Sequence, residues 1–161
     1  MSGPREIEEL VNRWQSAWSG REPDAFTELA TRGLHYEDPL TPTPLEGPVE
    51  LGRHARRLWD GVPDARVEKT GERLTDGRFV AAPVRLLGTH RAQLGPVPAT
   101  GKFVIVNAVI YGEVEHGRFT RVRTFFDLWS IATQLGMLPE EGSLGQRALF
   151  LLRGFGLRPA S

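Results

Sequence analysis

The chain has 161 residues, which is about the size of one domain with a single hydrophobic core. Its 20 basic and 20 acidic residues cancel, so no global field draws it toward nucleic acid or an anionic membrane, and a small neutral partner is expected instead. The absence of cysteine excludes disulfides and thiolate chemistry and agrees with a reducing compartment, so the cytoplasm is the expected location.

Apolar residues at helical spacing predict three helices in the first part of the chain. The first runs from Ile7 to Trp18, and the second begins near Pro23 and stops around Gly33. "HYEDPLTPTPLEGP" is then interpreted as a proline-stiffened connection to a third helix with an apolar face of Leu51, Ala55, Leu58 and Trp59. The N-terminus is charged where a signal peptide would be apolar, and no apolar run approaches the ~20 residues of a membrane span, so no membrane insertion is expected.

From "GVPD" onwards the chain is predicted to form strands. Two hairpins, closed by "TDG" and "EHG", are predicted to join segments 65–74 with 79–87 and 103–114 with 118–126. "DLWSIATQLG" is predicted to be a helix with Asp127 as its N-cap and Gly136 as its end. Helices first and antiparallel strands after them predict an α+β domain in which a curved sheet wraps the helices and leaves a cavity.

Residues 1–140 are expected to form this domain, and residues 141–161 a C-terminal helical tail. The tail has apolar residues at helical spacing with arginines interspersed, among them Arg147, Arg153 and Arg158. Packing on the domain or on a second subunit is one interpretation. A lid over the pocket and a contact with a membrane surface are the others.

Several short stretches resemble the nuclear transport factor 2-like superfamily. The SnoaL-like polyketide cyclase branch is matched by "GTH" at 88–90, "VPATGK" at 97–102, the turn at Gly117 and "DLWSIATQLG" at 127–136. The ketosteroid isomerase branch is matched by "VNRWQSAWSG", then "YEDP", Pro44 and Gly47. The resemblance implies a cone-shaped barrel of a curved, mostly antiparallel sheet around N-terminal helices, with an apolar pocket. It also implies a homodimer through the open face of the sheet, in a superfamily that includes both enzymes and binding modules.

Asp38, in "YEDP", matches the general base of the isomerases by motif. Burial in a pocket can raise the pKa of a carboxylate toward the operating pH, which makes it a usable base. The alternative is a turn residue whose side chain bonds nearby backbone, as Asp before Pro favours. The resemblance places Trp14 and Val109 where the isomerases have their oxyanion donors. Valine donates nothing and an indole N–H is a weaker donor, so an efficient steroid isomerase is not expected.

Candidates for a second proton-transferring group lie at the last strand and in "GTH". The resemblance implies an aspartate on the final strand of the cyclases. Here the arginines Arg121 and Arg123 mark one face as outer, so the pocket face shows Thr124, and the family's acid falls at Thr124 or Asp127. The alternative for Asp127 is the N-cap role. His90 is a candidate proton carrier because an imidazole titrates near neutrality, and its alternative is a surface or backbone-bonded histidine.

One polar and several aromatic side chains are predicted to line the pocket. Asn107 is the only polar residue in "FVIVNAVIY" and shares a face with Val109. If that face lines the cavity, Asn107 would donate to a substrate carbonyl, and otherwise it is a satisfied core or interface amide. A flat apolar wall for fused rings, or simply core, is predicted from Trp14, Trp18, Tyr36, Trp59 and Phe126.

The sequence therefore predicts a small enzyme that moves protons on an apolar, cyclic or polyketide-like carbonyl compound. Asp38 would be the base, Trp14 or Asn107 a donor, and His90 or Asp127 a second acid or base. No metal or organic cofactor is expected. "HYED" only weakly indicates a metal site, because its ligands lie within four consecutive residues. The alternatives are epoxide opening, which needs both an acid and a base, and a binding or accessory domain that kept the pocket and lost the chemistry.

Overall fold

A computed structural model describes residues 3–139 and 142–152. Its helices are α1 (Pro4–Gly20), α2 (Ala25–Leu29), α3 (Pro48–Gly61), α4 (Leu128–Gln134) and α5 (Leu144–Leu152). Its strands are β1 (Ala30–Glu37), β2 (Leu45–Glu46), β3 (Arg66–Lys69), β4 (Leu74–Thr75), β5 (Phe79–Thr89), β6 (Phe103–Glu115) and β7 (Arg118–Phe126). Within these described residues, no helix combines the length and the apolar character that a membrane crossing needs.

The strands form one seven-stranded sheet in the order β2-β1-β7-β6-β5-β3, with β4 also paired to β5. Every pairing is antiparallel except that of β1 with β7, which is parallel and sets Tyr36 opposite Val122 and Glu37 opposite Arg123. The sheet is curved around the N-terminal helices without closing. The predicted α+β cone with a mostly antiparallel sheet is confirmed.

The core lies between the N-terminal helices and the concave face of the sheet. At its centre Trp14 is fully buried and meets Phe26 and Phe119 edge-on, with ring centroids 5.0 and 4.9 Å away. Such edge-to-face pairs favour a defined packing beyond the area they bury. The apolar stripe of α1 supplies Ile7 and Val11 to the same cluster, as its helical spacing predicted.

Strands β1 and β2 lie in segments that were predicted to be a helix and a loop. The helix α2 ends at Leu29, before the predicted end at Gly33, and β1 follows at once. Leu34 and Tyr36 alternate with more exposed neighbours, which is the pattern of a half-buried strand. The proline-rich connection is therefore shorter than predicted, and it contains β2, where Glu46 pairs with His35.

Strand β6 presents the opposite face to the one predicted. Val106, Ala108 and Ile110 are buried on the concave side, whereas Asn107 and Val109 are exposed on the outer side. The prediction that the face of Asn107 and Val109 lines the cavity is wrong. Both faces of this strand are apolar in sequence, so the alternation defines two sets of side chains without indicating which set is inside.

The tail is described only in part. Helix α5 lies inside the predicted segment 141–161, and residues 153–161, with Arg153 and Arg158, lie outside the described residues. The boundary at residue 140 and the packing of the tail stay predictions.

Candidate functional site

An apolar cavity of about 190 Å³ is lined by residues of α1, α3, α4 and the concave face of the sheet. This is smaller than the ~300–1,000 Å³ of pockets for drug-sized ligands, so it suits a compact molecule. The lining is dominated by apolar side chains such as Leu58, Val67, Leu86, Val104, Val106 and Ile110. Polar side chains in the wall are few, namely Tyr36, Asp38, Arg66, His90 and Thr124.

The cavity brings together most of the side chains that the sequence analysis singled out. Those in its lining are Trp18, Tyr36, Asp38, Trp59, His90, Thr124 and Phe126. Trp14 lies in the core instead, Asn107 and Val109 lie on the outer face, and Asp127 caps a helix, so these four are corrections to the predicted site. The inward-facing side of β7 was predicted correctly at Thr124, which is buried and faces the cavity.

Asp38 follows β1 directly and is held by the turn that it begins. Its Oδ1 accepts the backbone N–H of Leu40 at 2.7 Å, and its backbone N–H donates to Thr41 Oγ1 at 3.1 Å. The side chain is nevertheless only 3% exposed and lies in the cavity wall. The two predicted alternatives therefore coexist, because Asp38 is a turn residue and a buried carboxylate of the cavity.

His54, which the sequence analysis did not identify, is the main partner of this carboxylate. Its Nε2 lies 2.9 Å from Asp38 Oδ2, and its side chain is 7% exposed. The Tyr36 hydroxyl donates to the same oxygen at 2.8 Å. His54 lies on the apolar face of α3, three residues after Leu51, and a polar side chain on a buried face needs a partner. That position was the signal that could have identified it.

A glycine fixes where α3 begins and so where His54 lies. Gly47, just before the helix, has a φ of 85°, a conformation that residues with a Cβ rarely adopt. Its backbone N–H donates to Leu34 O at 2.7 Å, which ties the start of α3 to β1. The strand that leads to Asp38 and the helix that carries His54 are thereby fastened to each other.

The donors around Asp38 outweigh the effect of its burial. Burial is the largest single influence and favours the neutral acid, but His54, Tyr36 and the Leu40 N–H together lower the pKa of Asp38 below its ordinary value. The expectation of a raised pKa is therefore wrong, because three donors converge on one carboxylate. Burial, followed by the charge of Asp38, raises the pKa of Tyr36 well above its ordinary value, so this phenol stays a donor.

The hydrogen bonds leave Asp38 one place to accept a proton. An ionised carboxylate has about four acceptor sites. Among the described residues, Oδ2 is used by Tyr36 and His54 and Oδ1 by Leu40, so one site on Oδ1 remains. An ionised oxygen held in this way at an apolar cavity can remove a proton from a bound carbon acid.

Each residue of "GTH" has a separate part in the structure. A Cβ on Gly88 would collide with the Val62 side chain, so only glycine lets β5 approach the end of α3 this closely. Thr89 donates its N–H and its hydroxyl to Asp64 at 2.6 and 2.8 Å, and the N–H of Thr89 is the largest cause of the lowered pKa of Asp64. His90, next along, is 2% exposed and lies in the cavity wall, so the surface alternative does not apply.

Asp127 has the alternative role that its sequence context allowed. Its Oδ1 accepts the N–H of Ser130 at 3.1 Å as the N-cap of α4. The inner face of β7 therefore carries Thr124 and no acid. In the part of the chain that is described, no three His, Asp or Glu side chains converge in a group suited to a metal ion.

The comparisons with known proteins agree with this architecture. The profile of the SnoaL-like polyketide cyclase family matches residues 8–135. TsrD from Streptomyces laurentii is 20% identical with a TM-score of 0.75, over 86% of this chain and 100% of TsrD. A candidate SnoaL-like polyketide cyclase from Jannaschia sp. CCS1 is 23% identical with a TM-score of 0.75, over 86% of this chain and 99% of that one.

A third solved structure, AclR from Streptomyces galilaeus, a candidate hydroxylase, is 15% identical with a TM-score of 0.73, over 85% of this chain and 100% of AclR. Likeness at this level shows the shared fold. No curated protein matches the chain. The profile match spans most of the sequence and the fold is the nuclear transport factor 2-like cone, so the chain belongs to the SnoaL-like polyketide cyclase family.

Proposed function

We propose that this protein is a cofactor-independent cyclase or isomerase in which Asp38 moves a proton on an apolar carbonyl compound that contains or forms a ring. One observation carries the proposal, namely a carboxylate only 3% exposed in the wall of an apolar cavity, with two donors on Oδ2 and one acceptor site left on Oδ1. Membership of the SnoaL-like family supports the class of reaction.

The proposed reaction begins when Asp38 Oδ1 takes a proton from a carbon activated by a carbonyl, and the C–H electron pair enters the carbonyl system. In an isomerisation, the same carboxyl group returns the proton at another carbon. In a ring closure, the enolate carbon bonds to a second carbonyl carbon of the same molecule, and the new alkoxide takes the proton. Both sequences conserve atoms and electrons without an oxidant or a reductant.

The lowered pKa of Asp38 restricts which substrates can react. The carboxylate is ionised at any pH above about 4, but it is a weaker base than one whose pKa is raised toward neutrality. A substrate must therefore have an unusually acidic C–H bond, as when two carbonyl groups flank the carbon or a conjugated system extends from it. Polyketide-like carbonyl compounds meet this requirement.

The proposed assembly is a homodimer through the outer face of the sheet. The large apolar side chains Phe103, Ile105, Val109 and Phe125 are exposed on β6 and β7, where Val109 and Phe125 are cross-strand partners. Exposed apolar patches of this kind favour burial against another protein surface. Light scattering of the wild type should give twice the mass of the chain, and Phe125→Lys should reduce it to that of the monomer.

Proton exchange in D₂O tests the catalytic proposal. Octalone, a two-ring conjugated enone, offers acidic protons in an apolar frame, and NMR follows its uptake of deuterium. The wild type should accelerate exchange over buffer, and Asp38→Asn should lower that rate about 10²- to 10⁴-fold while the dissociation constant of octalone changes little. Tight binding without accelerated exchange by the wild type would make the protein a binding module.

A further inference from the structure

We propose that helix α4 is a movable wall of the cavity, and that Gln134 is the residue that holds this wall closed. A compact apolar ligand would enter when α4 moves away from β6, and it would be separated from water when α4 returns. The proposal concerns access to the cavity. It therefore goes beyond the proton transfer proposed for Asp38 and does not depend on it.

The sheet leaves one strand edge for α4 to cover. Strand β6 begins at Phe103, but its pairing with β7 begins only at Ala108, opposite Phe126. On the β7 side, residues 103–107 of β6 therefore have no neighbour among the described strands. Such an edge presents backbone N–H and C=O groups that need partners. The chain continues from β7 into α4, and β6 is the main element that α4 contacts.

The side-chain amide of Gln134 takes the place of the missing strand. Its Oε1 accepts the backbone N–H of Ile105 at 3.0 Å, and its Nε2 donates to Ile105 O at 2.9 Å. An opposing residue in an antiparallel pair makes the same two bonds. In the described part of the chain, no other hydrogen bond joins α4 to the sheet. One side chain thus supplies the polar contacts that keep α4 in place.

Helix α4 is also held by less burial than the other helices that line the cavity. Several residues of α1 and of α3 are buried, whereas no residue of α4 is. Leu128 and Trp129 are exposed, and Ile131 and Leu135 line the cavity while they stay partly accessible. Segments with few buried contacts open at a low cost in free energy. Movement of α4 would therefore uncover the cavity and leave the core intact.

The loop between β5 and β6 is the other cover of the cavity, and backbone groups hold it. It supplies Leu94 to the lining. Gly61 O accepts the backbone N–H of Arg91 at 2.9 Å and that of Ala92 at 3.2 Å, and Leu94 and Val97 exchange two backbone hydrogen bonds. These contacts are spread over several residues, whereas those of α4 depend on one side chain. Helix α4 is therefore the cover that opens more readily.

The inner side of α4 determines which molecules pass. Ile131 and Leu135 offer no polar side-chain atom, so a charged molecule would lose its hydration there without compensation, and an apolar one would not. Closure also bears on the chemistry, because Asp38 lines the same cavity. If the proposed function holds, the returned helix keeps water away from the carbanion formed at Asp38.

Binding kinetics test the movable wall without any turnover. Octalin, a two-ring hydrocarbon, has no carbonyl group and so does not undergo the proposed reaction. Stopped-flow tryptophan fluorescence follows its binding, because Trp18 and Trp59 line the cavity. Gln134→Ala should raise both the association and the dissociation rate about tenfold, because opening precedes entry and exit and two hydrogen bonds that oppose it are lost. The dissociation constant should change little. An unchanged association rate would overturn the proposal.

Gln93 supplies a matched control in the other cover. Its Nε2 donates to Gly95 O at 2.9 Å, so Gln93→Ala removes an amide contact to the backbone from the loop between β5 and β6. This variant should stay within about twofold of the wild type in both rates of octalin binding. Faster association in Gln93→Ala and not in Gln134→Ala would make the loop the movable cover and would contradict the assignment to α4.

Amide hydrogen exchange tests the wild type without a ligand. The N–H of Ile105 bonds to Gln134, whereas those of Val104 and Val106 point the other way, toward β5. Ile105 should therefore exchange at least about tenfold faster than either neighbour. Equal protection of the three amides would mean that α4 does not open independently of the sheet. Neither result touches Asp38, and a failure of octalone to exchange its protons would remove the catalytic proposal and leave the movable wall.

Discussion

Asp38 and Asp127 occupy equivalent places in the sheet and have different surroundings. Each is the first residue after a strand, and those strands, β1 and β7, are parallel neighbours. Asp38 shares its parity with the inward side chain Tyr36, whereas Asp127 shares its parity with the exposed Phe125. The side of the strand to which each position belongs therefore decides whether its carboxylate lies buried in the cavity or caps a surface helix.

The largest expected effect comes from neutralising Asp38, and the same change at Asp127 is the comparison. Asp38→Asn should lower the rate of octalone exchange about 10²- to 10⁴-fold, because the proposed general base is lost. Asp127→Asn should stay within about twofold of the wild type, because asparagine is also a good N-cap. NMR exchange rates at saturating octalone make the measurement. Comparable losses in both variants would mean that the parity argument is wrong.

A second comparison sets a buried histidine–carboxylate pair against an exposed one. His54 contacts Asp38 at 2.9 Å with both side chains nearly inaccessible, whereas His35 contacts Glu46 at 3.1 Å with side chains 27% and 68% exposed. His54→Phe should lower the free energy of unfolding by about 2–3 kcal/mol, because a buried acceptor loses its partner. His35→Phe should cost less than about 1 kcal/mol. Urea unfolding measures both.

His54→Phe should also change the pH dependence of exchange. Loss of this donor leaves burial as the dominant influence and raises the pKa of Asp38, so the acid limb of the rate profile should move to higher pH. His35→Phe should leave the limb where it is. An unmoved limb in the buried variant would show that His54 does not stabilise the ionised form of Asp38.

The stability of the protein should depend on Asp38 in acid. The pKa of Asp38 is lower in the folded protein than the ~3.9 of an unfolded aspartate, so the unfolded chain binds this proton more readily. The stabilisation is present above the unfolded pKa, and it is lost as the pH falls from there through the folded pKa. Urea unfolding of the wild type should therefore show a steeper acid decline than that of Asp38→Asn, and identical declines would contradict this sign.

The smallest effect is expected on the outer face of β6. Asn107 is exposed on the side away from the cavity, so Asn107→Ala should change the exchange rate less than twofold and the free energy of unfolding by less than about 0.5 kcal/mol. A tenfold loss of rate would place the substrate on the face that the structure turns outward.

The fold was predictable from sequence where a pattern allowed one interpretation. The helical spacing in α1 and α3, the two hairpins and the cap of α4 were all found, because amphipathic periodicity and turn residues determine them locally. Strand β1 was missed because its few inward side chains follow a short helix directly. The inner face of β6 was missed because both of its faces are apolar, and only contact with the helices distinguishes them.

The place of Asp38 in the cavity wall was predictable from the sequence, whereas the direction of its pKa shift was not. The "YEDP" context identified Asp38, but the donors that lower its pKa come from β1, the following turn and α3. Such convergence depends on tertiary packing, which local sequence does not contain. His54 lies on the apolar face of α3 and was not predicted, although a polar residue in that position requires a buried partner.

The parallel contact between β1 and β7 also bears on the order in which the protein folds. It joins segments from opposite ends of the domain, so it closes a long loop, and contacts of that kind form slowly and late. The wall around Asp38 includes Thr124 of β7 and is incomplete until that loop has closed. During synthesis, a chain that has not yet produced β7 would hold Tyr36, Asp38 and His54 without a complete cavity, so the proton transfer proposed for Asp38 would require that the last strand has docked.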